Sequence, residues 1–202
     1  MIKALIFDFG DVFLNLDKAA TSRELKRLKI PEFTEQLLRL NEEYEKGLLT
    51  SEEFISAYQR EFEFLEPHDF TKSWNAILLD FPQYRLDFLK KLTKEGKYKL
   101  ILLSNTNNIH IDWVKENVPF FEEFKNCFDA FYLSQEINLR KPDASIYEFV
   151  LRNHQLEPHE ALFIDDTPAN TEAAAKIGIH TWNINPAEED VTDLFRIKKE
   201  LF

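Results

Sequence analysis

An almost continuous apolar run that ends in a carboxylate is the feature that most constrains this chain. Residues 2–7 are strand-forming residues interrupted by one lysine, and Asp8 follows them directly. A run that is apolar rather than alternating is typical of a strand buried on both faces of a parallel sheet. Asp8 is then expected at the carboxyl end of that strand, where open α/β sheets bind their ligands. Because a buried carboxylate is costly unless it is paired or bound to a metal, this position predicts a special chemical task.

Composition indicates an acidic protein that acts on small molecules. Of the 202 residues, 44% are hydrophobic, which is enough for one core and a smaller appended domain. The formal net charge of -11 disfavours nucleic-acid binding, which requires phosphate neutralisation, and gives no reason to expect an anionic membrane surface as a partner. We therefore expect a small molecule as the partner rather than a nucleic acid or a membrane. We also expect a monomer or weak homodimer.

The cysteine content and the N-terminal residues bear on the cellular location of the protein. Cys127 is the single cysteine, which excludes an internal disulfide and a multi-cysteine zinc site. We expect it to be a small buried apolar residue rather than a nucleophile. The beginning of the chain lacks the layout of a signal peptide, and no uncharged segment approaches the ~20 residues needed to span a bilayer. A cytoplasmic location is the expectation.

Residues 17–80 differ from the rest of the chain in being polar, helix-forming and without a strand pattern. Apolar residues recur there at helical spacing, and Pro31 separates the first two helical stretches. Thr50 and Glu53 form a capping-box pattern that opens the third, and the fourth is predicted over 69–79. This pattern predicts a small bundle of four helices.

The remaining sequence alternates between strands and helices. After a short turn at 13–17, predicted to be exposed, and after the bundle, buried strands are predicted over 98–103, 130–133, 161–164 and 180–184. Helices are predicted to begin near Pro82, Pro142 and Pro168. Such alternation indicates an α/β fold with a Rossmann-like doubly wound parallel sheet of about five strands and an inserted small helical bundle. Residues 1–16 and 81–202 are then the core domain, and residues 17–80 the inserted one.

Three of the predicted strands end in groups that bind metals or anions. These groups are Asp8, Ser104, Asn105, Asp165 and Asp166. If the strands are neighbours, the groups converge at one edge of the sheet, and clustered carboxylates suit a hard cation such as Mg²⁺. Lys141 adds a fixed positive charge. Together the set fits phosphoryl transfer, in which positioning and charge neutralisation supply most of the catalysis.

Four motifs in this order resemble those of the haloacid dehalogenase (HAD) superfamily of hydrolases. The motifs are residues 8–12, 103–106, 140–143 and 163–166. The helical insert is placed like the C1-type cap of that family, and we call residues 17–80 the cap below. Ser104–Asn107 with His110 and Trp113, and Tyr132–Gln135, are most similar to the α-D-glucose-1-phosphate phosphatase branch.

The resemblance implies a Mg²⁺-dependent phosphatase that forms an aspartyl-phosphate intermediate. Asp8 corresponds to the nucleophile and first metal ligand, and the backbone carbonyl of Gly10 to a further ligand. Asp166 corresponds to a direct metal ligand, and Asp165 to a ligand that binds directly or through water. The implied substrate is a small phosphorylated metabolite, with sugar phosphates first and a sugar 1-phosphate suggested by the branch.

The same resemblance assigns the groups that hold the phosphoryl group. Ser104 and Asn105 correspond to residues that bind its oxygens, and Lys141 to the residue that bridges nucleophile and phosphate. One departure stands out, because phosphatases of this family usually carry a general acid–base Asp two residues after the nucleophile, where this chain has Gly10. Asp11 is a doubtful substitute, since in extended backbone it would point the other way. Either the loop is irregular enough to bring Asp11 in, or the enzyme works without that group.

Other interpretations stay open at this stage. The chain could be a metal-independent 2-haloacid dehalogenase, although clustered carboxylates at 165–166 argue against a metal-free site. It could also be a non-catalytic binding or regulatory protein that kept the fold. For Asp11 a local turn acceptor is favoured over a catalyst, and His110 and Trp113 are either packing residues or substrate contacts. Gly47 is either a turn glycine or part of a cap loop over the site.

Overall fold

A five-stranded parallel sheet forms the centre of the computed structural model, which describes residues 1–30 and 33–202. Its strands are β1 (Ala4–Phe7), β2 (Lys99–Ser104), β3 (Ala130–Leu133), β4 (Ala161–Asp165) and β5 (His180–Asn183). They lie in the order β3-β2-β1-β4-β5. The predicted α/β fold with a parallel sheet of about five strands is therefore confirmed, while the predicted break at Pro31 lies outside the described residues.

Helices connect the strands and form the cap. Those of the cap are α1 (Ala20–Arg27), α2 (Glu35–Glu45), α3 (Ser51–Glu61) and α4 (Pro67–Asn75). Those of the core are α5 (Gln83–Glu95), α6 (Asn108–Asn117), α7 (Phe121–Lys125), α8 (Ser134–Ile137), α9 (Ala144–His154), α10 (Pro168–Lys176) and α11 (Leu194–Ile197). The sequence did not predict the short helices α7, α8 and α11.

Both faces of the sheet are buried, as the apolar run at the start of the chain predicts. Leu5 and Phe7 of β1 belong to one apolar cluster, and Ala4 and Ile6 belong to another on the opposite face. This division follows from the alternation of side chains along a strand. Because β1 lies between β2 and β4, the ends of these three strands are neighbours, and this places their polar termini together.

The cap has its own apolar cluster. Tyr44, Phe54, Tyr58, Phe70 and Trp74 are buried there and stack on one another, with the Tyr44 and Phe54 rings 4.1 Å apart. The predicted capping box is present, because the Thr50 hydroxyl accepts from the Glu53 amide and the Glu53 carboxylate accepts from the Thr50 amide. The domain boundaries at 16/17 and 80/81 stay a prediction.

Two short segments join the cap to the core side by side. The Asn15 amide donates to the Asp80 carbonyl at 2.9 Å, the Leu79 amide to the Asn15 carbonyl at 3.0 Å, and the Asp17 amide to the Ile77 carbonyl at 2.8 Å. This pairing ends α4 at Asn75, four residues before its predicted end. The turn predicted to be exposed at 13–17 is instead buried at its start, since Phe13 packs in the core.

Buried Arg85 holds this junction. Its guanidinium donates to the Phe13 carbonyl at 3.0 Å, to the Asn15 side chain at 2.9 Å and to the Asp190 carboxylate at 2.9 Å. Three parts of the chain that are distant in sequence therefore meet at one buried cation, which fixes where the cap leaves the core.

One helix start was predicted two residues too early. Pro142 precedes α9, which begins at Ala144, because the Asp143 amide donates to the Arg140 carbonyl and keeps 140–143 in a turn. Cys127 is buried, as predicted, and burial raises the pKa of its thiol. Within residues 1–30 and 33–202, none of the helices has the length and apolar character needed to cross a membrane.

Candidate active site

A buried ammonium group lies between two carboxylates at the carboxyl edge of the sheet. Lys141 Nζ donates to Asp8 Oδ1 at 2.8 Å, to Asp165 Oδ2 at 2.6 Å and to the Leu103 carbonyl at 2.8 Å. Asp8 follows β1 and Asp165 ends β4, so the parallel register brings them together. All three donor positions of the ammonium are used, which fixes its place beside Asp8.

The backbone of Lys141 is held by a single side-chain amide. Asn105 Nδ2 donates to the Lys141 carbonyl at 2.8 Å, and the Lys141 amide donates to Asn105 Oδ1 at 2.9 Å. Asn105 follows β2, so the end of the second strand positions the lysine that contacts the first and fourth. Its side chain is thus engaged with protein, while its predicted contact with phosphoryl oxygens stays a prediction.

The two adjacent aspartates have different surroundings. Asp165 is fully buried and its carboxylate accepts from Lys141, from the Thr167 amide at 2.8 Å and from Asn170 Nδ2 at 3.0 and 3.1 Å. The Asp166 carboxylate instead pairs with the Lys18 ammonium. Asp165 is therefore saturated by protein donors, and Asp166 retains the freer carboxylate for a ligand.

Burial governs the protonation of this cluster. It raises the pKa of Asp8 to about 7; Lys141 opposes this shift and Asp165 adds to it. Burial also disfavours the Lys141 ammonium, but attraction to Asp165 and Asp8 outweighs it and raises the pKa of Lys141. The pKa of Asp166 is raised by burial, against the effect of Lys18. Two carboxylates thus share one buried ammonium, and the excess negative charge favours a further cation.

The residues present fit a divalent cation. Asp8, Asp165 and Asp166 each offer a carboxylate oxygen, and the three oxygens lie within 4.8 Å of one another. An oxygen-only donor set is the kind that Mg²⁺ prefers. Asp8 and Asp166 have the better access, because all the oxygen atoms of Asp165 accept protein hydrogen bonds. The carbonyl of Gly10 as a further ligand stays a prediction.

The loop after β1 is irregular at Asp11. Asp11 has a φ of 55°, so its side chain does not follow the alternation of an extended strand. Its Oδ1 accepts from the Leu16 amide at 2.9 Å, and its Oδ2 lies 3.2 Å from Lys18 Nζ, which also contacts Asp166. Asp11 therefore reaches the side of the site on which Asp166 lies, as a loop acceptor paired with Lys18. Its catalytic role stays a prediction.

Leu16 occupies the space beside Gly10. A Cβ atom at position 10 would lie 2.7 Å from Leu16 Cδ1. Where relatives with the usual motif carry a carboxylate, this chain therefore presents an apolar wall. Sequence reasoning missed Leu16, Lys18 and Asn170, because their roles depend on the path of the loop and of α10 rather than on spacing.

Two cavities adjoin each other near Asp8. The larger, about 360 Å³, is lined by the carboxylates of Asp8 and Asp166 and by the cations Lys18, Arg140 and Lys141. The smaller, about 140 Å³, lies between cap and core and is lined by Ser104, Thr106 and His110 from the core and Glu45 and Leu78 from the cap. Gly10, Leu16 and Asn105 line both. The phosphoryl group and its leaving group can therefore occupy adjoining spaces.

His110 joins the cap to the core instead of facing solvent. Its Nδ1 lies 3.1 Å from Asn107 Nδ2, its Nε2 lies 3.1 Å from the Trp74 carbonyl, and its ring stacks on Trp74. An amide nitrogen only donates and a carbonyl only accepts, so the ring is neutral with its proton on Nε2. Burial lowers the pKa of His110 to about 4. Trp113 packs partly buried against the core and lines an outer groove, away from both cavities.

Gly47 lies where the cap touches the core. Its φ is +67°, and a Cβ atom there would lie 2.0 Å from the Gln135 carbonyl oxygen. Beside it the Lys46 carbonyl accepts from Asn138 Nδ2 at 2.7 Å, and Glu45 pairs with Arg140 Nε at 2.5 Å. The turn between α2 and α3 is thus a docked cap loop at the edge of the site, and its glycine allows two backbones to approach closely.

A parallel α/β sheet with an aspartate at the end of its first strand, beside a buried lysine and a carboxylate cluster, defines a class of hydrolase. The haloacid dehalogenase-like hydrolase family matches residues 2–178, and the chain belongs to it. Among curated proteins, D-ribitol-5-phosphate phosphatase of Bacteroides thetaiotaomicron is 27% identical over 194 residues, which are 90% of this chain and 91% of that protein.

Solved structures agree with this assignment. A variant of a HAD family enzyme from Bacteroides thetaiotaomicron, in complex with magnesium and inorganic phosphate, has a TM-score of 0.85 and 34% identity, covering 97% of this chain and all of that one. An L-2-haloacid dehalogenase has a TM-score of 0.63 and 18% identity, covering 98% of this chain and 99% of that one. The dehalogenase therefore shares the fold alone.

Proposed function

We propose that this hydrolase is a Mg²⁺-dependent phosphatase of small phosphorylated metabolites, with sugar and polyol phosphates as the first candidates. The observation that carries the proposal is the contact of Lys141 Nζ with both Asp8 and Asp165, beside the carboxylate of Asp166. This arrangement supplies a nucleophile, a fixed cation and a metal site within one buried cluster. The magnesium and phosphate bound by the similar enzyme support the same chemistry.

Asp8 carries the covalent step. One of its carboxylate oxygens forms a bond to phosphorus while the bond from phosphorus to the leaving-group oxygen breaks, and that oxygen departs with the electron pair and takes up a proton. Water then attacks the phosphorus of the aspartyl-phosphate and loses a proton, and the Asp8 carboxylate leaves as inorganic phosphate is released. Lys141 holds Asp8 in place and faces the charge of the phosphoryl group.

Other residues would position the phosphoryl group or help to neutralise its charge. Ser104, at the end of β2, would hold a phosphoryl oxygen, and Asn105 keeps Lys141 in register. Asp166 and Asp8 would hold Mg²⁺, with Asp165 supporting Lys141. When bound, the cation offsets the repulsion between the anionic nucleophile and the anionic phosphate. The cap covers the site and limits the access of water.

Two substrate chemistries are supported by different observations. With Gly10 and Leu16 in place of a second carboxylate, leaving groups that need little protonation, such as anomeric phosphates, are favoured, because general acid catalysis contributes roughly 10²–10⁴-fold. The relative named for D-ribitol 5-phosphate instead supports a phosphate on a primary alcohol. In that case Asp11 would be the candidate for proton transfer, once the Lys18 ammonium that it pairs with has moved.

The test is phosphate release from sugar 1-phosphates, sugar 5- and 6-phosphates and polyol phosphates, with and without Mg²⁺. We expect Mg²⁺-dependent release by the wild-type protein, lost in Asp8→Asn and retained in Asp112→Asn, an exposed residue of α6 that serves as the control. Asp11→Asn should slow polyol phosphates more than 1-phosphates if Asp11 transfers the proton.

Three outcomes would contradict the proposal. Release that persists in Asp8→Asn excludes Asp8 as the nucleophile. Halide release from 2-haloacids without metal, and no phosphatase activity, identifies a dehalogenase. Beryllofluoride binding by a folded protein that turns over no substrate identifies a non-catalytic member of the family.

A further inference from the structure

The smaller cavity, in which the leaving group would lie, has an unusual charge pattern. Of the described residues that line it, Glu45 alone carries a formal charge at neutral pH. His110 is neutral there, because burial lowers its pKa to about 4. The remaining lining is apolar or made of hydroxyl and amide groups, such as Leu78 and Thr106. A leaving group in this cavity therefore meets a carboxylate and no unpaired cation from the lining residues.

Four contacts fix Glu45 at this position. It is the last residue of α2, and the turn that follows docks on the core through Gly47 against Gln135 and through the Lys46 carbonyl. Its carboxylate accepts from Arg140 Nε at 2.5 Å. At the residue before Glu45, the buried Tyr44 hydroxyl accepts from the Ile109 amide of the core at 3.1 Å. Glu45 thus belongs to the interface between cap and core.

Arg140 does not cancel the carboxylate in the smaller cavity. Its Nε is committed to Glu45, its Nη1 donates to the Lys141 carbonyl at 3.2 Å, and it lines the larger cavity instead. A carboxylate accepts about four hydrogen bonds, and Arg140 Nε uses one of these positions. Glu45 therefore retains acceptor positions for a ligand, and its distance from the phosphoryl site is set by the docked turn.

We infer that Glu45 determines the specificity of the leaving group, selecting an uncharged polyhydroxylated one and rejecting one that carries a carboxylate or a second phosphate. This inference rests on the phosphatase function proposed above. Hydroxyl groups donate to the free acceptor positions of Glu45, and such charge-assisted hydrogen bonds are strong. An anionic leaving group would lie beside the Glu45 carboxylate, while the Arg140 guanidinium is already paired with that carboxylate. The anionic group would therefore lose its hydration without gaining a cationic partner.

The volume agrees with a small leaving group. A cavity of about 140 Å³ corresponds to roughly four to five waters at their liquid volume of ~30 Å³. A short polyol or sugar chain fits this space, whereas a nucleoside does not. The charge and the size of the cavity therefore point to the same class of substrate, the monophosphates of short neutral polyols and sugars.

The experiment compares two substrates of equal length that differ in one end group. These are a pentitol 5-phosphate and the corresponding pentonic acid 5-phosphate, and the quantity measured is the ratio of their kcat/KM values. We expect the wild-type protein to prefer the pentitol phosphate. Glu45→Gln keeps the shape and removes the charge, so the ratio should fall by about 10–100-fold, the factor expected for one hydrogen bond to a charged group.

Two further variants separate charge from structure. Glu43→Gln removes an exposed carboxylate from the same helix, away from both cavities, and should keep the wild-type ratio. Glu45→Asp keeps the charge with a shorter reach, so it should still reject the pentonic acid phosphate while binding the pentitol phosphate less tightly. Thermal unfolding of each variant reports whether the cap remains packed.

The outcomes distinguish this inference from the proposed function. If the wild-type protein hydrolyses both substrates equally, or if Glu45→Gln leaves the ratio unchanged, Glu45 does not select the leaving group and the phosphatase function stands. The same conclusion follows if Glu45→Asp loses the discrimination as Glu45→Gln does. If the wild-type protein releases phosphate from neither substrate nor from an aryl phosphate, the proposed function is wrong and the inference is wrong with it.

Discussion

Asn105 and Lys141 exchange two hydrogen bonds, so that one side-chain amide holds both the N–H and the C=O of the lysine whose ammonium lies between Asp8 and Asp165. The amide acts on the backbone of the lysine rather than on its charge. The position of the ammonium is therefore set from the end of β2, and the site depends on a contact that involves no reacting atom.

Replacing Asn105 should thus affect both stability and catalysis. Asn105→Ala leaves the Lys141 amide without its side-chain partner and should lower the free energy of unfolding by about 1–3 kcal/mol. Displacement of the ammonium should lower kcat by roughly 10–100-fold with a smaller change in KM. Urea unfolding and steady-state kinetics measure the two effects. Asn117→Ala, which removes one exposed hydrogen bond to the Trp113 carbonyl, is the control. Wild-type kcat in Asn105→Ala would show that Lys141 needs no such support.

The contact between His110 and Trp74 should make stability depend on pH. The pKa of His110 is about 4 in the folded protein against 6.5 ordinarily, so between these values the unfolded chain binds the proton more readily. The stability that neutral His110 contributes is complete above pH 6.5 and is lost as the pH falls toward 4, by up to about 3 kcal/mol. Unfolding by urea at pH 7.5 and 4.5 should show this loss for the wild-type protein and much less of it for His110→Gln. Exposed His68 on α4 gives the control His68→Gln, and an equal loss in all three proteins would refute the assignment.

Gly47 offers a test of cap docking with a matched control in the same chain. Gly47 and Gly96 both have positive φ, so an alanine costs each about 1–2 kcal/mol of backbone strain. At Gly96 nothing lies within 4 Å of an added Cβ, whereas at Gly47 the Gln135 carbonyl oxygen lies 2.0 Å away. Gly47→Ala should therefore also displace the cap loop and lower kcat/KM by about tenfold or more. Equal activities of Gly47→Ala and Gly96→Ala, measured at equal folded fraction, would show that the docking is dispensable.

The ammonium of Lys18 contacts Asp166 and Asp11, and this should weaken metal binding. A Mg²⁺ ion held by Asp166 meets this positive charge, so Lys18→Met should lower the Kd for Mg²⁺ by roughly 3–10-fold. Isothermal titration calorimetry of Mg²⁺ into substrate-free protein measures this directly. Lys26→Met, on the exposed side of α1, should leave the Kd unchanged. Weaker Mg²⁺ binding by Lys18→Met would instead mean that Lys18 supports the site.

The groups at the ends of the strands were predictable because their positions follow from local patterns. Asp8 ends an apolar run, Thr50 and Glu53 form a capping box, and the alternation of strands and helices fixes a parallel sheet. The relative order of strands in a doubly wound sheet then brings Asp165 to Asp8, whereas the position of Lys141 beside them was implied by the resemblance to the HAD motifs. For Asp8 and Asp165, short-range periodicity and one topological rule are sufficient.

The residues that the sequence did not reveal depend on contacts between distant segments. Glu45 lies at the site only because Gly47 lets the cap approach Gln135, and Lys18 meets Asp166 only because Asp11 turns the loop with a positive φ. No spacing rule encodes either event. The start of the helix predicted from Pro142 was two residues early, since the turn at 140–143 lies before the true start at Ala144.

The paired segments at Asn15–Asp17 and Ile77–Asp80 have a consequence for how such enzymes diversify. The chain leaves the core for the insert and returns to it through two neighbouring segments that are hydrogen-bonded to each other. The two ends of the insert are therefore held together at the core, whatever the length of the chain between them. The entropy of closing a loop rises only slowly with its length, and the junction is already closed here by the core residue Arg85. A longer, shorter or unrelated insert can therefore be grafted at this point without moving Asp8 or Lys141. The part of the smaller cavity that the cap supplies can then change while Asp8 and Lys141 of the core keep their positions.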